Sequence, residues 1–223
     1  MRHETPICGS NMHKTKPYSE GCKVIFEIGA YDGVDVEEIK GNFGNDCSIH
    51  AFEPDPESFA KLELYYKPEG VICNNIALSN YVGNTKFVKC WDPSLEDQSK
   101  RDLWYKTAQS LRHNTKHHIL GKKIIEEEID VPVTTINNYC ELNNVKPDAL
   151  LIDTQGSEWE VLKGASNVLS NVKVIMCEWS TKELYVGQKM LPDIIDLLKE
   201  YDLKMVEKVN LWENFHGDAI FAR

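Results

Sequence analysis

Short apolar runs alternate with helical patterns from Lys23 onward, and this alternation constrains the fold more than any other feature of the sequence. Runs such as Ser48–Glu53 and Ala149–Asp153 have the length and apolar content of buried strands. The segments between them carry apolar residues three and four positions apart, as amphipathic helices do. Strands alternating with helices form a largely parallel sheet that is covered on both faces. The sequence therefore predicts a single α/β domain over residues 23–223.

Several boundaries follow from local patterns. Asp35 with Glu38 three residues later predicts a capping box at the first helix, and Asp55 predicts the cap of the second. The third strand is predicted over Val71–Ala77, and a helix over Ser157–Leu169. In such sheets, ligands bind where the strands end, so the loops after the strands are the expected site.

The composition excludes several classes of protein. The 223 residues include 35 acidic and 25 basic ones, which gives a formal net charge of −10. A general nucleic-acid coat needs a basic face, so we expect no nucleic-acid partner. No apolar run approaches the length of about 18 residues that a membrane helix needs, so we expect no membrane span. The sequence does not indicate an oligomeric state.

The seven cysteines and the N-terminus point to an intracellular protein. The cysteine count is odd and no CxxC pair occurs, which favours reduced thiols and a cytoplasmic location. Residues 1–22 are polar, lack the apolar core of a secretory signal, and are predicted to be a flexible leader. The possible metal ligands in this leader match no metal motif, so no metal site is predicted: His3, Cys8, His13 and Cys22.

The first chemical motif is KVIFEIGAYDG, in which a strand runs into Glu27, Gly29 and Gly33. The glycines allow a tight turn and a close approach to a ligand. An acid at this strand end would repel a phosphate and suits a ligand with a positive charge or an amino group. The GxGxxG pattern of nicotinamide-binding enzymes is absent. By itself, the motif fits an ordinary strand–turn–helix junction equally well.

Two further carboxylates end predicted strands at the same edge. Glu53 lies 20 residues beyond Gly33, where a carboxylate accepts hydrogen bonds from ribose hydroxyls. A solvated strand-end acid is the alternative, and the first motif favours the ribose role. In LLIDTQGSEWEVLKGA, an apolar strand delivers Asp153 to this edge, which predicts a functional role. Glu158 fits an ordinary acid in the first turn of a helix.

In order along the chain, IFEIGAYDG, IHAFEPDPESF, NIALSN, IDVPVTTI and LLIDTQGSEWEVLKGA resemble the FkbM-type S-adenosylmethionine-dependent methyltransferases. The resemblance covers roughly Lys23 to Glu178. It implies the Rossmann-like class I methyltransferase fold, with a seven-stranded, mostly parallel sheet, an antiparallel last strand and helices on both faces. It also implies O-methylation of a hydroxyl on a sugar, natural product or other small molecule.

The resemblance assigns the contacts of S-adenosylmethionine to particular residues of this chain. The first-strand acid and the loop around the methionine part are Glu27, Gly29, Ala30, Tyr31 and Gly33. The ribose-binding acid and the adenine-holding residues are Glu53, Asn75, Ile76 and Ala77. Asp153 lies next to the methyl group. This chain departs from the family at two positions. The family more often has Asn at the position of Tyr31 and Asp at the position of Asn137. Because Asn137 replaces that Asp, this chain lacks one carboxylate that would otherwise be assigned to the acceptor side.

Methyl transfer to a hydroxyl needs alignment and benefits from a general base. Alignment supplies on the order of 7–11 kcal/mol, and a base about 10²–10⁴-fold in rate. The candidate bases are Asp153, Glu178, His113, His117 and His118. Two alternatives stay open. One is a metal-dependent O-methyltransferase that uses Asp153 to bind Mg²⁺. The other is a non-catalytic module that binds a nucleoside or a protein partner, which the intact motif residues disfavour.

Residues 91–125 are predicted to be an irregular insertion on the acceptor side. Its part from Lys100 to Lys123 carries seven basic residues against Asp102, a formal charge of +6 in an acidic protein. Long irregular loops are often binding lids, so this charge predicts a small-molecule acceptor that is anionic. A solvated basic loop is the equally weighted alternative.

Overall fold

The computed structural model of the protein describes residues 11–91, 109–115, 124–212 and 215–223. Ten strands lie in these residues. In chain order they are β1 (Val24–Ile28), β2 (Ser48–Phe52), β3 (Ile72–Asn74), β4 (Ala77–Leu78), β5 (Gly83–Trp91), β6 (Ile125–Thr134), β7 (Ala149–Ile152), β8 (Val174–Ser180), β9 (Lys204–Trp212) and β10 (His216–Ala222).

Seven of these strands form the main sheet, in the order β3-β2-β1-β7-β8-β10-β9. The pairs among β3, β2, β1, β7 and β8 are parallel, and β10 is antiparallel to both β8 and β9. This is the predicted class I arrangement with an antiparallel last strand. Because β10 runs backwards, its first residues lie at the same edge as the ends of the parallel strands. That edge is called the carboxyl edge below, and the opposite one the amino edge.

Helices cover both faces of the main sheet. In chain order they are a 3₁₀ helix (Met12–Tyr18), α1 (Val36–Phe43), α2 (Pro56–Tyr66), a second 3₁₀ turn (Lys67–Glu69), α3 (Ile136–Asn143), α4 (Glu158–Lys163) and α5 (Leu191–Lys199). One core lies under α1 and α2 and includes Ile25 and Leu151. The other lies under α3, α4 and α5 and includes Phe26 and Leu150. Neighbouring residues of a strand thus point into different cores, as strand geometry requires.

Two predicted boundaries are wrong. The predicted third strand breaks after Asn74, and Ala77 begins β4 in a separate sheet of order β4-β6-β5. The helix predicted over Ser157–Leu169 is regular only over Glu158–Lys163, and turns follow it. In both cases the apolar pattern continues through the break, because the residues beyond it are still buried in a core.

The helix caps differ in outcome. Asp55 caps α2 as predicted, because its side chain accepts a hydrogen bond from the Ser58 N–H at 3.0 Å. Asp35 makes no side-chain cap bond at α1. Glu38, its predicted partner, instead accepts from the backbone N–H of His13 at 2.9 Å. The capping box is therefore replaced by a contact with the N-terminal segment.

Residues 11–22 belong to the fold, in contrast to the predicted flexible leader. Met12 and Thr15 of the 3₁₀ helix are buried, and Met12 packs in the core under α1. The Asn11 amide donates to Asp218 of β10 at 2.7 Å. Residues 1–10 lie outside the described part of the chain. None of the helices found in the described residues is long and apolar enough to cross a membrane.

The predicted insertion is described in three parts, namely Trp91, residues 109–115 and residues 124–125. We call residues 109–115 the strap. Its Ser110 forms a β-bridge with Val88 of β5, and its Asn114 forms one with Tyr185, which follows β8. The strap therefore ties the small sheet to the carboxyl edge of the main sheet.

Candidate active site

The loops after β1 and β2 are joined at the carboxyl edge by Glu53. Its two carboxylate oxygens accept hydrogen bonds from the backbone N–H groups of Tyr31, at 2.8 Å, and Asp55, at 2.7 Å. The N–H groups of Gly29 and Ala30 both donate to the Phe52 carbonyl at 3.0 Å. The first two sequence motifs thus form one structural unit.

Glycine is required at the two predicted loop positions. Gly29 has φ +88°, and a Cβ there would lie 1.8 Å from the carbonyl oxygen of Asp153. The loop after β1 therefore lies directly against the loop after β7. Gly33 has φ +87°, and a Cβ there would overlap the ring of Tyr66 at 2.4 Å. Any other residue at either site would be strained and would clash.

Glu27 is a buried acid that lacks a counter-charge. Its side chain is 5% exposed, and neither carboxylate oxygen finds a hydrogen-bond partner among the described residues. Burial raises its pKa well above the ordinary value, and the acids Asp35, Glu53 and Asp32 raise it further. An unpaired buried carboxyl is costly, so the site fits a cationic or hydrogen-bond-donating ligand group.

Glu53 is equally buried but is hydrogen-bonded. Burial raises its pKa to about 8, while the N–H donors of Asp55 and Tyr31 act in the opposite direction. Each carboxylate oxygen has two lone pairs and uses one for a backbone N–H. The remaining acceptor capacity matches the two hydroxyls of a ribose.

The three residues predicted to hold adenine divide into two groups. Asn75 is exposed after β3 and donates to the carbonyl of Glu53 at 2.8 Å, and Ile76 beside it is partly buried. Asn75 therefore lies beside Glu53, the acid predicted to bind ribose. Ala77 instead packs in the core of the small sheet with Phe87 and Val133. Its side chain is therefore occupied elsewhere, because the predicted third strand ends earlier than the pattern indicated.

Asp153 and Glu178 form a pair joined by one amide, which we call the carboxyl pair. The Gln155 Nε2 donates to Asp153 Oδ1 at 2.6 Å and to Glu178 Oε2 at 2.9 Å. Asp153 is exposed to solvent. Desolvation, followed by repulsion from Glu178, raises its pKa well above the ordinary value. A carboxyl with a raised pKa is a stronger base once ionised.

More acids stand around the carboxyl pair. Desolvation raises the pKa of Glu178 well above its ordinary value, with Glu158 and Asp218 adding to it. Asp218 lies directly opposite Glu178 across the β8–β10 pair. His216 Nε2 is 3.4 Å from Glu178 Oε1. Glu158 accepts from the N–H groups of Thr154 and Gly156, so its contacts are those of an acid at a helix start.

The histidine candidates do not meet at this edge. His113 lies between Glu126 and Glu128 of β6, at 2.8 and 3.0 Å, on the small sheet. Hydrogen bonding to Glu126 raises its pKa, which favours the charged form rather than a free base. His117 and His118 lie outside the described residues. Within the described part of the chain, Asp153 and Glu178 are therefore the predicted bases that come together.

Sequence reasoning missed two members of the site, Gln155 and Tyr185. Gln155 lies inside the motif that identified Asp153, and its polar side chain in a short loop after a strand was the available signal. Tyr185 is 1% exposed and donates its hydroxyl to the Gln155 amide oxygen. No sequence pattern marks Tyr185, because its position depends on a contact between elements distant in the chain.

The model of the methyltransferase FkbM domain matches residues 27–205. The chain belongs to the FkbM methyltransferase family. The 2-O-methyltransferase NoeI of Sinorhizobium fredii (strain NBRC 101917 / NGR234) is 27% identical over 184 residues, which are 81% of this chain and 72% of that protein. A solved structure of methyltransferase FkbM from Methylobacillus flagellatus KT has 12% identity and a TM-score of 0.57. That match covers 90% of this chain and 43% of the solved one, and it shows the fold.

FkbM methyltransferases use S-adenosylmethionine as methyl donor, and the carboxyl edge of this member fits that cofactor. The cofactor carries an amino group and a ribose, and the edge offers an unpartnered buried acid, Glu27, and an acid with spare acceptor capacity, Glu53. Among the described residues, no group of three or more His, Cys, Asp or Glu side chains could hold a metal ion.

Proposed function

We propose that the protein transfers the methyl group of S-adenosylmethionine to a hydroxyl oxygen of a small molecule, with a sugar-like polyol as the acceptor class. The carboxyl pair carries this proposal. It stands at the carboxyl edge beside the loop predicted to hold the cofactor, since Gly29 lies against the Asp153 backbone. The relative NoeI is named as a 2-O-methyltransferase, and this name supports oxygen as the acceptor atom that receives the methyl group.

The cofactor supplies an activated methyl group on a positively charged sulfur. Glu27 binds its amino group, Glu53 binds its ribose, and Asn75 and Ile76 border the adenine. Asp153 would accept the proton of the acceptor hydroxyl as its oxygen bonds to the methyl carbon, while the bond between that carbon and sulfur breaks and its electron pair stays on sulfur. Glu178 shares the negative charge of the pair, which keeps Asp153 basic at neutral pH.

The acidic surroundings favour an uncharged acceptor. Glu178, Asp218 and Asp153 would repel an anion at this edge. Of the basic residues from Lys100 to Lys123, the structure describes only Arg112, and its guanidinium is paired with Glu160 at 2.5 Å. The anionic acceptor therefore stays a prediction that rests on residues outside the described ranges.

A methylation assay tests the proposal. The full-length protein is incubated with S-adenosylmethionine carrying a deuterated methyl group and with a panel of neutral polyols, sugar acids and amines. Mass spectrometry should find the label as an ether on a neutral polyol. Transfer to amine nitrogen would contradict the proposal, and preference for sugar acids would favour the basic lid. Asp153→Asn should lose the transfer, whereas Asp148→Asn, the matched change at the amino edge, should keep it.

A further inference from the structure

Gln155 connects the two members of the carboxyl pair. We propose that Gln155 is a positioning residue, whose side-chain amide holds the Asp153 and Glu178 carboxyls together at the carboxyl edge. Two further side chains, Ser110 and Tyr185, hold Gln155 in place. This inference rests on the proposed function, because a proton acceptor at this edge is what needs positioning.

The amide nitrogen serves both carboxyls at once. Asp153 follows β7 and Glu178 lies in β8, two residues before its end, and two ionised carboxyls held by one amide repel each other. The Gln155 Nε2 has two N–H bonds and directs one to each carboxyl, at 2.6 and 2.9 Å. Each carboxyl therefore gains a donor that favours its ionised form. Glu158, Asp218 and His216 also face the pair, and His216 Nε2 lies 3.4 Å from Glu178 Oε1, whereas the Gln155 amide donates to both carboxyls.

The hydroxyl of Tyr185 fixes which way the amide faces. It donates to the Gln155 Oε1, so the oxygen faces the tyrosine and the nitrogen faces the carboxyls. The opposite orientation would direct the amide oxygen at two carboxyls, which is repulsive. Tyr185 is 1% exposed, and the backbone of Gly156 lies against its ring, where a Cβ would come within 2.7 Å. The hydroxyl is thus held by a side chain that has little freedom to move.

The backbone of Gln155 is held in an unfavourable conformation. Its φ of +54° lies in the left-handed region, which is sterically unfavourable for a non-glycine residue. The buried Ser110 hydroxyl of the strap donates to the Gln155 carbonyl at 2.6 Å. Strained residues of this kind persist where the surroundings over-determine them, and they cluster at functional sites. The strap therefore connects the small sheet to the backbone of Gln155, from which the side-chain amide extends to the carboxyl pair.

The test compares two substitutions, each of which removes a side-chain amide that makes more than one hydrogen bond. Gln155→Met keeps the chain length and removes both donors. The control is Asn137→Leu, because the Asn137 amide donates to Ser166 and accepts from Asn167, both at 3.0 Å, on the α3 side. The ¹³C carboxyl signals of Asp153 and Glu178 are titrated in the full-length protein without cofactor, so the readout is independent of turnover. Melting temperature and cofactor affinity are measured in parallel.

The expected result is a titration of the carboxyl pair moved to higher pH in Gln155→Met, by about half a pH unit or more, and unmoved in Asn137→Leu. The acid limb of the kcat profile should move in the same direction, with cofactor Kd unchanged. Tyr185→Phe, which keeps the buried ring, should give a smaller shift of the same sign. It decides the matter if Gln155→Met does not fold.

Unchanged titrations in a folded Gln155→Met or Tyr185→Phe protein would overturn the inference and leave Gln155 a structural residue. This outcome is separable from failure of the proposed function. If the wild-type protein methylates no hydroxyl, the proposed function fails, and the carboxyl titrations still decide the role of Gln155. If methylation occurs and the titrations do not move, the inference on Gln155 fails alone.

Discussion

Asp148 and Asp153 lie at opposite ends of the same strand, β7, and their surroundings shift the pKa of the two carboxyls in opposite directions. Asp148 accepts from the backbone N–H groups of Lys23 and Val24, at 2.8 and 3.0 Å, and pairs with Lys173 at 3.2 Å. These donors lower its pKa although burial opposes them. Asp153 faces another carboxyl, and its pKa is raised.

The contrast extends along both edges of the sheet. At the amino edge, Lys23 pairs with Asp46, and Arg223 donates to the carbonyls of Val172 and Leu169. At the carboxyl edge, Glu27, Glu53 and the carboxyl pair stand together without a Lys or Arg contact in the described residues. The charged groups at the amino edge are thus paired and stabilise the fold. The acids at the carboxyl edge lack basic partners and destabilise it, as ionisable groups at binding and catalytic sites often do.

The largest difference between the edges should appear in turnover. Asp153→Asn keeps the shape of the side chain and removes the base, so kcat should fall by about 10²–10⁴-fold. The melting temperature should hold or rise, because one repelling charge is removed. Steady-state kinetics of this variant beside Asp148→Asn check the prediction. Near-normal kcat in Asp153→Asn would move the role of base to Glu178.

The second difference is a pH dependence of stability. The pKa of Glu53 is raised from 4.5 to about 8 in the folded protein, so the unfolded chain loses this proton first as pH rises. Ionisation of Glu53 therefore costs stability progressively between these two values. Relative to wild type, cofactor-free Glu53→Gln should gain stability from pH 5 to pH 8, by a few kcal/mol, since one pKa unit is worth about 1.4 kcal/mol. Urea denaturation at both pH values measures the gain, and a constant difference would refute it.

The amino edge should show the opposite sign. Asp148 has a lowered pKa in the folded protein, so its contribution is present above its ordinary value of 3.8 and is lost as pH falls through the lower folded value. Asp148→Ala should destabilise the protein by roughly 1.5–3 kcal/mol at pH 7, the scale of hydrogen bonds to a charged group. The effect should shrink below pH 3.8. Thermal unfolding across this range tests it, and an effect that grows on acidification would show that another group dominates.

The smallest effect is expected at the exposed pair of Lys23 and Asp46, whose side chains are 60% and 73% exposed. Solvent and salt screen such a pair, and ordering two surface side chains offsets its attraction. Asp46→Asn should leave the melting temperature unchanged within error at physiological salt. A clear loss would mean that the amino edge is more cooperative than its separate contacts indicate.

Much of this contrast can be predicted from the sequence, because strand-end acids follow apolar runs. The order of elements, the Asp55 cap and the edge location of Glu27, Glu53 and Asp153 are all local signals. The break between Asn74 and Ala77 is not, since it depends on pairing with β6, more than fifty residues later in the chain. Tyr185 and the strap escape prediction for the same reason. The contact of Tyr185 with Gln155 joins the loops after two strands of the main sheet, and the contact of Ser110 with Gln155 joins the two sheets; no periodicity in the sequence records either contact.

The central claim is that the carboxyl edge binds S-adenosylmethionine, and calorimetric titration of the cofactor into three proteins tests it most directly. The proteins are wild type, Glu53→Ala and, as the matched amino-edge control, Asp148→Asn. Loss of the two acceptor oxygens of Glu53 should weaken binding by roughly 1–3 kcal/mol, the scale of leaving buried hydrogen-bond donors without a partner. Asp148→Asn should bind as wild type does. Unchanged affinity in a folded Glu53→Ala protein, or equal losses in both variants, would contradict the assignment of this edge.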